Sequence, residues 1–219
     1  GTNSHDRRIG AEAVVRRRGT RSARIERINN HSIAYIRVLS YASPLFQEAI
    51  EELVLANGRL AAADALVLDI RSGWGGADAT YLNLFNRNIP SMQLIPRPDR
   101  RGAAEPRAHQ PAWVKPVVLL ADRGSRSGKE LLAHAFRKHN IGPVVGERTA
   151  VSVLAGRAIL LSDDSLLYLA AFDVKVDGQR LEGIGVTPDI EVPPSPPGAP
   201  DAQLEAALTE AARLANNAK

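Results

Sequence analysis

Two short apolar runs constrain the fold of this 219-residue chain more than any other feature. The run "ALVLDI" spans residues 65–70, and "VVLLA" lies within residues 115–124. Neither run alternates polar and apolar residues, and continuous runs of this kind are typical of strands buried on both faces of a sheet. Because helical patterns alternate with the strand patterns, we predict an α/β domain with a mixed, partly parallel sheet and flanking helices.

The other elements follow from periodicity and from helix start and stop signals. Residues 32–41 indicate a strand, and residues 43–58 a helix that ends at a glycine. A second helix is predicted over 127–139. A strand pair surrounds the polar turn "DDS" at 163–165, and a last helix begins after Asp201.

The pattern divides the chain into three parts. Residues 1–30 are predicted to be a leader or a junction to an upstream region, 31–195 the core domain, and 196–219 a C-terminal helix packed on the core. The segment 96–111, rich in Pro, Arg and Ala, is predicted to be a mobile loop that borders the site.

Composition excludes several classes of function. The chain has no cysteine, which rules out disulfides, thiolate nucleophiles and cysteine-ligated metals. No apolar run is long enough to cross a bilayer, and an export signal, where the full-length protein has one, lies upstream. The net charge is +4, but the basic stretches lack interleaved aromatic residues, which argues against nucleic-acid binding. No metal-ligand spacing and no cofactor motif are present.

The residues after the two apolar runs suggest where a ligand binds. In α/β sheets, ligands bind beyond the carboxyl ends of the strands. The first run ends in a turn that contains Gly75 and Gly76, and the second leads to Ser127 at the start of a helix. Glycine N–H groups and a helix N-terminus can stabilise an oxyanion, so this pairing suits acyl transfer by a serine nucleophile.

A simpler interpretation of the same residues requires no chemistry. Ser127 and Glu130 have the spacing of a capping box, in which the two side chains satisfy free N–H groups at a helix start. The glycines then serve only to form a tight turn. Spacing alone leaves both interpretations open.

Four motifs, in order, carry a resemblance to a known family. "SIAYIRVLSYASPLFQEAIEEL" resembles the strand and helix that open the core of the C-terminal processing peptidases, or tail-specific proteases. "ALVLDIRSGWGGADATYLNLF" is similar to their L-D-L-R-x-N-x-G-G segment. "PVVLLADRGSRSGKELLAHAFRKHNIGPVVGERTA" is similar to their S-A-S-A-S-E … V-V-G-E-x-T segment, and "LEGIGVTPDIEVPP" to their closing G-x-G-V-x-P-D signature.

The resemblance implies a crotonase-like core of ββα units, related in shape to Clp-type proteases, that hydrolyses peptide bonds. It implies that Ser127 is the nucleophile, and that Gly128 N–H and an N–H at Gly75 or Gly76 form the oxyanion site. It also implies a polypeptide substrate and an exported full-length protein, periplasmic or extracellular, without a cofactor. Whether the chain forms homo-oligomers stays open.

One family position departs from the pattern. Most members carry a general-base lysine in T-F-G-K, where this chain has "TAVS" and therefore Ser152. The replacement bases considered are Lys129, His31, His134 and Lys175. A tricorn-like branch of the family uses a histidine from early in its core, which makes His31 a candidate. Lys129 stands two residues from Ser127, although a solvated lysine at the helix start is the simpler interpretation.

Three functions follow. The first is a serine endopeptidase with an unusual base. The second is a catalytically inactive, peptide-binding pseudoprotease or scaffold, which the missing lysine favours. The third is an acyl-CoA enzyme of crotonase type, which the S-x-x-E and G-V-x-P-D motifs argue against.

Overall fold

The computed structural model describes residues 23–39, 50, 52–54, 58–75, 84–85, 113–176 and 178–218. Its main element is a six-stranded mixed sheet. In spatial order, the strands of this sheet are β1 (Ala23–Ile28), β2 (His31–Arg37), β3 (Ala65–Asp69), β4 (Val117–Ala121), β5 (Val144–Gly146) and β10 (Ile190–Glu191). Strands β1 and β2 are antiparallel, whereas every other neighbouring pair runs parallel. The predicted α/β class is confirmed.

The two continuous apolar runs form the centre of this sheet. Every residue of β3 and β4 is buried. Their side chains alternate between two apolar clusters, one on each face, because successive residues of a strand point to opposite sides. This double burial explains why neither run shows polar alternation.

Two described helices cover opposite faces of the sheet. Helix α1 (Gly128–Lys138) packs Leu132 and Phe136 into one cluster, and helix α2 (Ala202–Asn217) packs Leu208 and Ala211 into the other. The predicted cap of α2 is confirmed, since Asp201 accepts a hydrogen bond from Leu204 N at 3.1 Å. The helices complete a three-layer arrangement that leaves the strand ends free to carry a site.

Two small sheets lie outside the main sheet. The predicted strand pair is confirmed as a hairpin of β6 (Ala155–Leu160) and β7 (Leu166–Phe172), and every residue of β7 is exposed. A second short pair consists of β8 (Lys175–Val176) and β9 (Gln179–Arg180). In the described residues, no helix combines the length and the apolar character that a membrane crossing needs.

Some predictions need correction, and others lie outside the described residues. The predicted leader 1–30 contains β1, which pairs with β2, so the main sheet begins earlier than expected. Residues 50 and 52–54 of the predicted helix 43–58 are helical, and its other residues before 58 are not described. The loop predicted over 96–111 also lies outside the described residues.

Candidate active site

Ser127 joins β4 to α1 in an unusual backbone conformation. Its φ is 56° and its ψ is −124°, which residues other than glycine adopt only at a cost in strain. Its N–H donates to the carbonyl of Ser152 at 2.8 Å, and its side chain makes no capping hydrogen bond. The capping-box prediction is therefore wrong. A strained strand-to-helix turn that frees a serine hydroxyl is also how the nucleophile elbow of other hydrolases is built.

The glycine turn after β3 meets Ser127 directly. A Cβ atom built on Gly75 would lie 2.6 Å from Ser127 Cβ and 3.2 Å from Ser127 Oγ. Any side chain at position 75 would therefore displace the serine. The structure brings Gly75 and Ser127 together at the carboxyl ends of neighbouring parallel strands, as the sequence predicts, whereas Gly76 lies outside the described residues.

Gly128 is the first residue of α1. The amides of Glu130 and Leu131 bond to the carbonyl of Ser127, and that of Lys129 to the carbonyl of Arg126. Gly128 N–H has no such acceptor among the residues described, as expected for the first N–H of a helix. This N–H lies next to Ser127, at the end of α1 where the helix dipole is positive.

Lys129 is fully buried, so its interpretation as a solvated lysine is wrong. Its Nζ donates a hydrogen bond to the carbonyl oxygen of Ser72, in the turn that follows β3. Burial lowers the pKa of Lys129 to about 8, although the charge of Asp69 opposes this shift. Within the described chain, no hydrogen bond joins Nζ to the hydroxyl of Ser127.

The turn after β3 is also tied to the residues that follow β4. Asp122 accepts hydrogen bonds from Ser72 N at 2.8 Å and from Ser72 Oγ at 3.0 Å. The same carboxylate accepts from Gly124 N at 2.9 Å. One acidic side chain therefore joins the two turns that meet at the site. Sequence reasoning missed Asp122, although its position directly after a buried strand was a usable signal.

Glu130 is fully buried and bonds to the loop after β5 rather than to the helix start. Its Oε1 accepts from Thr149 Oγ1 at 2.6 Å and from Val151 N at 2.8 Å, and its Oε2 accepts from Ser152 N at 2.8 Å. These bonds hold Val151 at a φ of 60°, an outlier for a β-branched residue. Glu130 therefore fixes the segment 149–152 against α1.

Ser152 lies beside the nucleophile through its backbone. Its carbonyl accepts the N–H of Ser127, while its exposed Oγ bonds to the carbonyl of Ala150 at 3.2 Å. The position that the family motif gives to a lysine is thus next to Ser127, but it carries a hydroxyl. A hydroxyl has no suitable basicity near neutral pH.

His31 is not part of this arrangement. It is the first residue of β2, whose parallel neighbours β3 and β4 place their carboxyl ends at the site. The seven residues of β2 span about 20 Å at the usual rise per residue, which puts His31 at the far end of the sheet. It is buried there, with Nε2 2.8 Å from Asn216 Oδ1. The prediction of His31 as a base is therefore wrong.

A buried network of charged side chains fixes the end of β3, where the glycine turn begins. Arg71 donates to both carboxylate oxygens of Asp69, at 3.1 and 2.9 Å, and to both of Asp201, at 2.8 Å each. Burial opposes the charge of Arg71, but the two carboxylates outweigh it and raise the pKa of the guanidinium. The network ties the end of β3 to the cap of α2.

Tyr35 joins this network from β2. Its hydroxyl donates to Asp69 Oδ2 at 2.7 Å, and burial together with the charge of Asp69 raises the pKa of Tyr35 to about 12. The tyrosine therefore stays neutral at ordinary pH and acts as a donor. Among the described residues, no group of His, Asp and Glu could hold a metal ion.

Comparisons with known proteins identify the family to which the chain belongs. The family model described as Peptidase family S41 matches residues 32–192. The chloroplastic C-terminal processing peptidase of Tetradesmus obliquus is 28% identical over 172 residues, which cover 74% of this chain and 35% of that protein. A putative tricorn protease homolog of Streptomyces coelicolor is 31% identical over 160 residues, which cover 69% of this chain and 13% of that protein. The chain thus spans about a third of the first relative and less of the second.

Solved structures show the same fold. The tricorn protease matches 95% of this chain and 19% of its own, with a TM-score of 0.61 and 19% identity. The photosystem II D1 C-terminal processing protease matches 74% of this chain and 42% of its own, with a TM-score of 0.53 and 24% identity. With the family model covering most of the described core, the chain belongs to peptidase family S41.

Proposed function

We propose that this chain is the proteolytic core of a serine peptidase that hydrolyses peptide bonds in unfolded or C-terminal polypeptide segments. The observation that carries the proposal is the strained Ser127, whose uncapped hydroxyl meets Gly75 in a member of peptidase family S41. The relatives named as C-terminal processing proteases support the substrate class. A polypeptide is then the partner, no cofactor is needed, and the full-length protein is exported.

In this proposal Ser127 Oγ attacks the carbonyl carbon of the scissile peptide bond. The developing oxyanion accepts hydrogen bonds from Gly128 N–H and from an N–H of the turn at Gly75. Donors that are fixed before the reaction stabilise this charge without reorganisation, and losing one costs on the order of 10²–10³ in rate. The Ser127 hydroxyl makes no capping hydrogen bond to the helix that follows, so in this proposal it is available for the attack.

The proton of Ser127 needs an acceptor other than His31 and Ser152. His31 lies at the other end of the sheet, and the hydroxyl of Ser152 lacks basicity. Lys129 has a pKa that suits a general base, but its Nζ is bonded to the Ser72 carbonyl. The geometry therefore favours a positioning role for Lys129, and the acceptor of the Ser127 proton in this proposal is a group outside these three side chains.

The second candidate function is a peptide-binding pseudoprotease or scaffold. The observation that favours it is Ser152, which stands next to the nucleophile where the family motif has its lysine. A chain that keeps the serine and the glycine turn but lacks a base would bind polypeptides without cleaving them.

Labelling with a serine-reactive fluorophosphonate separates the two functions. The enzyme hypothesis expects a label on Ser127 by peptide mapping, its loss in Ser127→Ala, and its retention in Ser152→Ala, the matched control on the neighbouring serine. Cleavage of a fluorescent unfolded polypeptide should follow the same pattern. If Ser127 stays unlabelled while the intact polypeptide binds, the scaffold function is correct, and a label on another serine refutes the assigned nucleophile.

A further inference from the structure

The buried ammonium of Lys129 lowers the stability of the fold. The lysine side chain is fully buried, its Nζ donates to a backbone carbonyl, and burial, which lowers its pKa, outweighs the favourable charges of Asp69 and Asp122. A buried charge whose hydrogen-bond partner is a carbonyl rather than a carboxylate destabilises a fold, and an apolar side chain of similar volume would pack there more favourably. A destabilising residue that touches a candidate site is a sign of function.

Lys129 is hydrogen-bonded to the turn that contains Gly75. Ser72 and Gly73 both have positive φ, 52° and 74°, so the chain reverses sharply there. Asp122 holds the N–H and the hydroxyl of Ser72, and Lys129 holds its carbonyl. The backbone of Ser72 is thus fixed from both sides by charged groups.

The rest of the turn is fixed farther along. Trp74 N–H donates to the carbonyl of Leu39 at 2.9 Å, and Gly75 follows against Ser127. A carbonyl and the next N–H point in opposite directions across a trans peptide. Holding the Ser72 carbonyl therefore also fixes the direction of the amide that follows, in a segment where glycines would otherwise allow it to rotate.

We propose that Lys129 is a positioning residue of the active site, whose ammonium holds the turn 72–75 in the orientation that brings Gly75 against Ser127. The proposal rests on the proposed peptidase function. The N-cap Ser127 and Lys129 in the first turn of α1 both contact the glycine turn, so the start of the helix sets the spacing between nucleophile and oxyanion donor.

The charges around Lys129 predict how this role depends on pH. Burial and the cations Arg37 on β2 and Arg126 before α1 lower the pKa of Lys129, while Asp69 on β3 and Asp122 after β4 raise it, with a result of about 8. An ammonium is a stronger donor than a neutral amine. A positioning role therefore predicts that activity declines as the pH rises through about 8, whereas a general-base role predicts a rise over the same range.

The test compares Lys129→Met with the wild type and with Lys138→Met, a control on the exposed end of the same helix. We expect Lys129→Met to lower kcat on an unfolded polypeptide by roughly 10²-fold, the cost of a misplaced site, while KM stays within about threefold. The phosphonate labelling rate should fall in parallel, and Lys138→Met should behave as wild type. An unchanged kcat, or a rise in KM alone, overturns the proposal.

Two further measurements test the proposal if the variant fails to fold or the wild type has no activity. The wild-type pH profile needs no variant, and an increase in kcat through pH 8 overturns the positioning role. Amide hydrogen exchange at Trp74 needs no turnover. Faster exchange in Lys129→Met supports the positioning role even if the wild type proves inactive, in which case only the peptidase function fails. Unchanged exchange at Trp74 overturns the positioning role even in an active enzyme.

Discussion

Replacing Lys129 by methionine should change the stability of the protein in a way that depends on pH. The pKa of Lys129 falls from 10.5 in the unfolded chain to about 8 in the fold. Below pH 8 the ammonium is present in both states, and the shift corresponds to about 3 kcal/mol of destabilisation of the folded state. Methionine removes this term, but it leaves the Ser72 carbonyl without its donor, which costs about 1–3 kcal/mol.

The sign follows from proton binding. Between pH 8 and 10.5 the unfolded wild type holds a proton that the folded wild type has lost, so wild-type stability rises with pH over this range. The variant lacks this contribution. We therefore expect Lys129→Met to be as stable as wild type, or more stable by up to about 2 kcal/mol, at pH 7. Near pH 10.5 it should be less stable by about 1–3 kcal/mol.

The assay is urea unfolding, followed by circular dichroism at several pH values between 7 and 10.5, with linear extrapolation to water. The quantity compared is the difference between variant and wild type, in which the titrations of groups that do not interact with Lys129 cancel. Lys138→Met makes the same substitution at an exposed position of the same helix and serves as the control. If the difference for Lys129→Met varies by less than about 1 kcal/mol over this range, its ammonium is not buried and the reasoning fails.

The remaining predictions concern the surroundings of Ser127. Gly75→Ala places a Cβ 2.6 Å from Ser127 Cβ, and we expect roughly 10²-fold slower phosphonate labelling; an unchanged rate contradicts the contact. Glu130→Ala leaves three donors unsatisfied, and we expect about 3 kcal/mol lower stability in urea; a loss below about 1 kcal/mol refutes this role. Val151→Gly with Ser152→Lys restores the family's glycine and lysine and should raise peptidase turnover at least about tenfold; equal turnover means that the amine does not reach Ser127.

The central strands and α1 could be predicted because local patterns determine them. Strand β3 spans Ala65–Asp69, within one residue of the run recognised in the sequence, and α1 begins one residue after its predicted start. Continuous apolar runs and amphipathic periods report burial directly. The meeting of Gly75 and Ser127 also followed, because parallel neighbouring strands end at the same edge of the sheet.

The capping box could not be judged from spacing. The S-x-x-E pattern gives the separation of Ser127 and Glu130, but it does not show which donors compete for the carboxylate. Three donors from residues 149–152 take it, and those residues lie about 20 positions away in the chain. The burial of Lys129 depends likewise on Ser72, which is 57 residues away. Contacts of this length carry no local signal.

His31, by contrast, could have been excluded with one further assumption, that the first core strand runs parallel to its neighbour. The prediction placed it before the first core strand and placed the site beyond the carboxyl ends of the strands. If β2 runs parallel to β3, as the structure shows, these two statements are incompatible. The strand direction was the missing information, and the α/β pattern already favoured a parallel neighbour.

The four residues "SGKE" at 127–130 unite the parts of the site. Lys129 holds the glycine turn on one side of Ser127, and Glu130 holds the segment 149–152 on the other. Gly128, directly after Ser127, has an N–H without a backbone acceptor among the residues described. Because these contacts all involve the start of α1, a shift of α1 would move the nucleophile, the glycine turn and the segment 149–152 together. The geometry of the site therefore depends on how α1 is seated against β4, and its buried residues Leu132 and Phe136 anchor that position in the core.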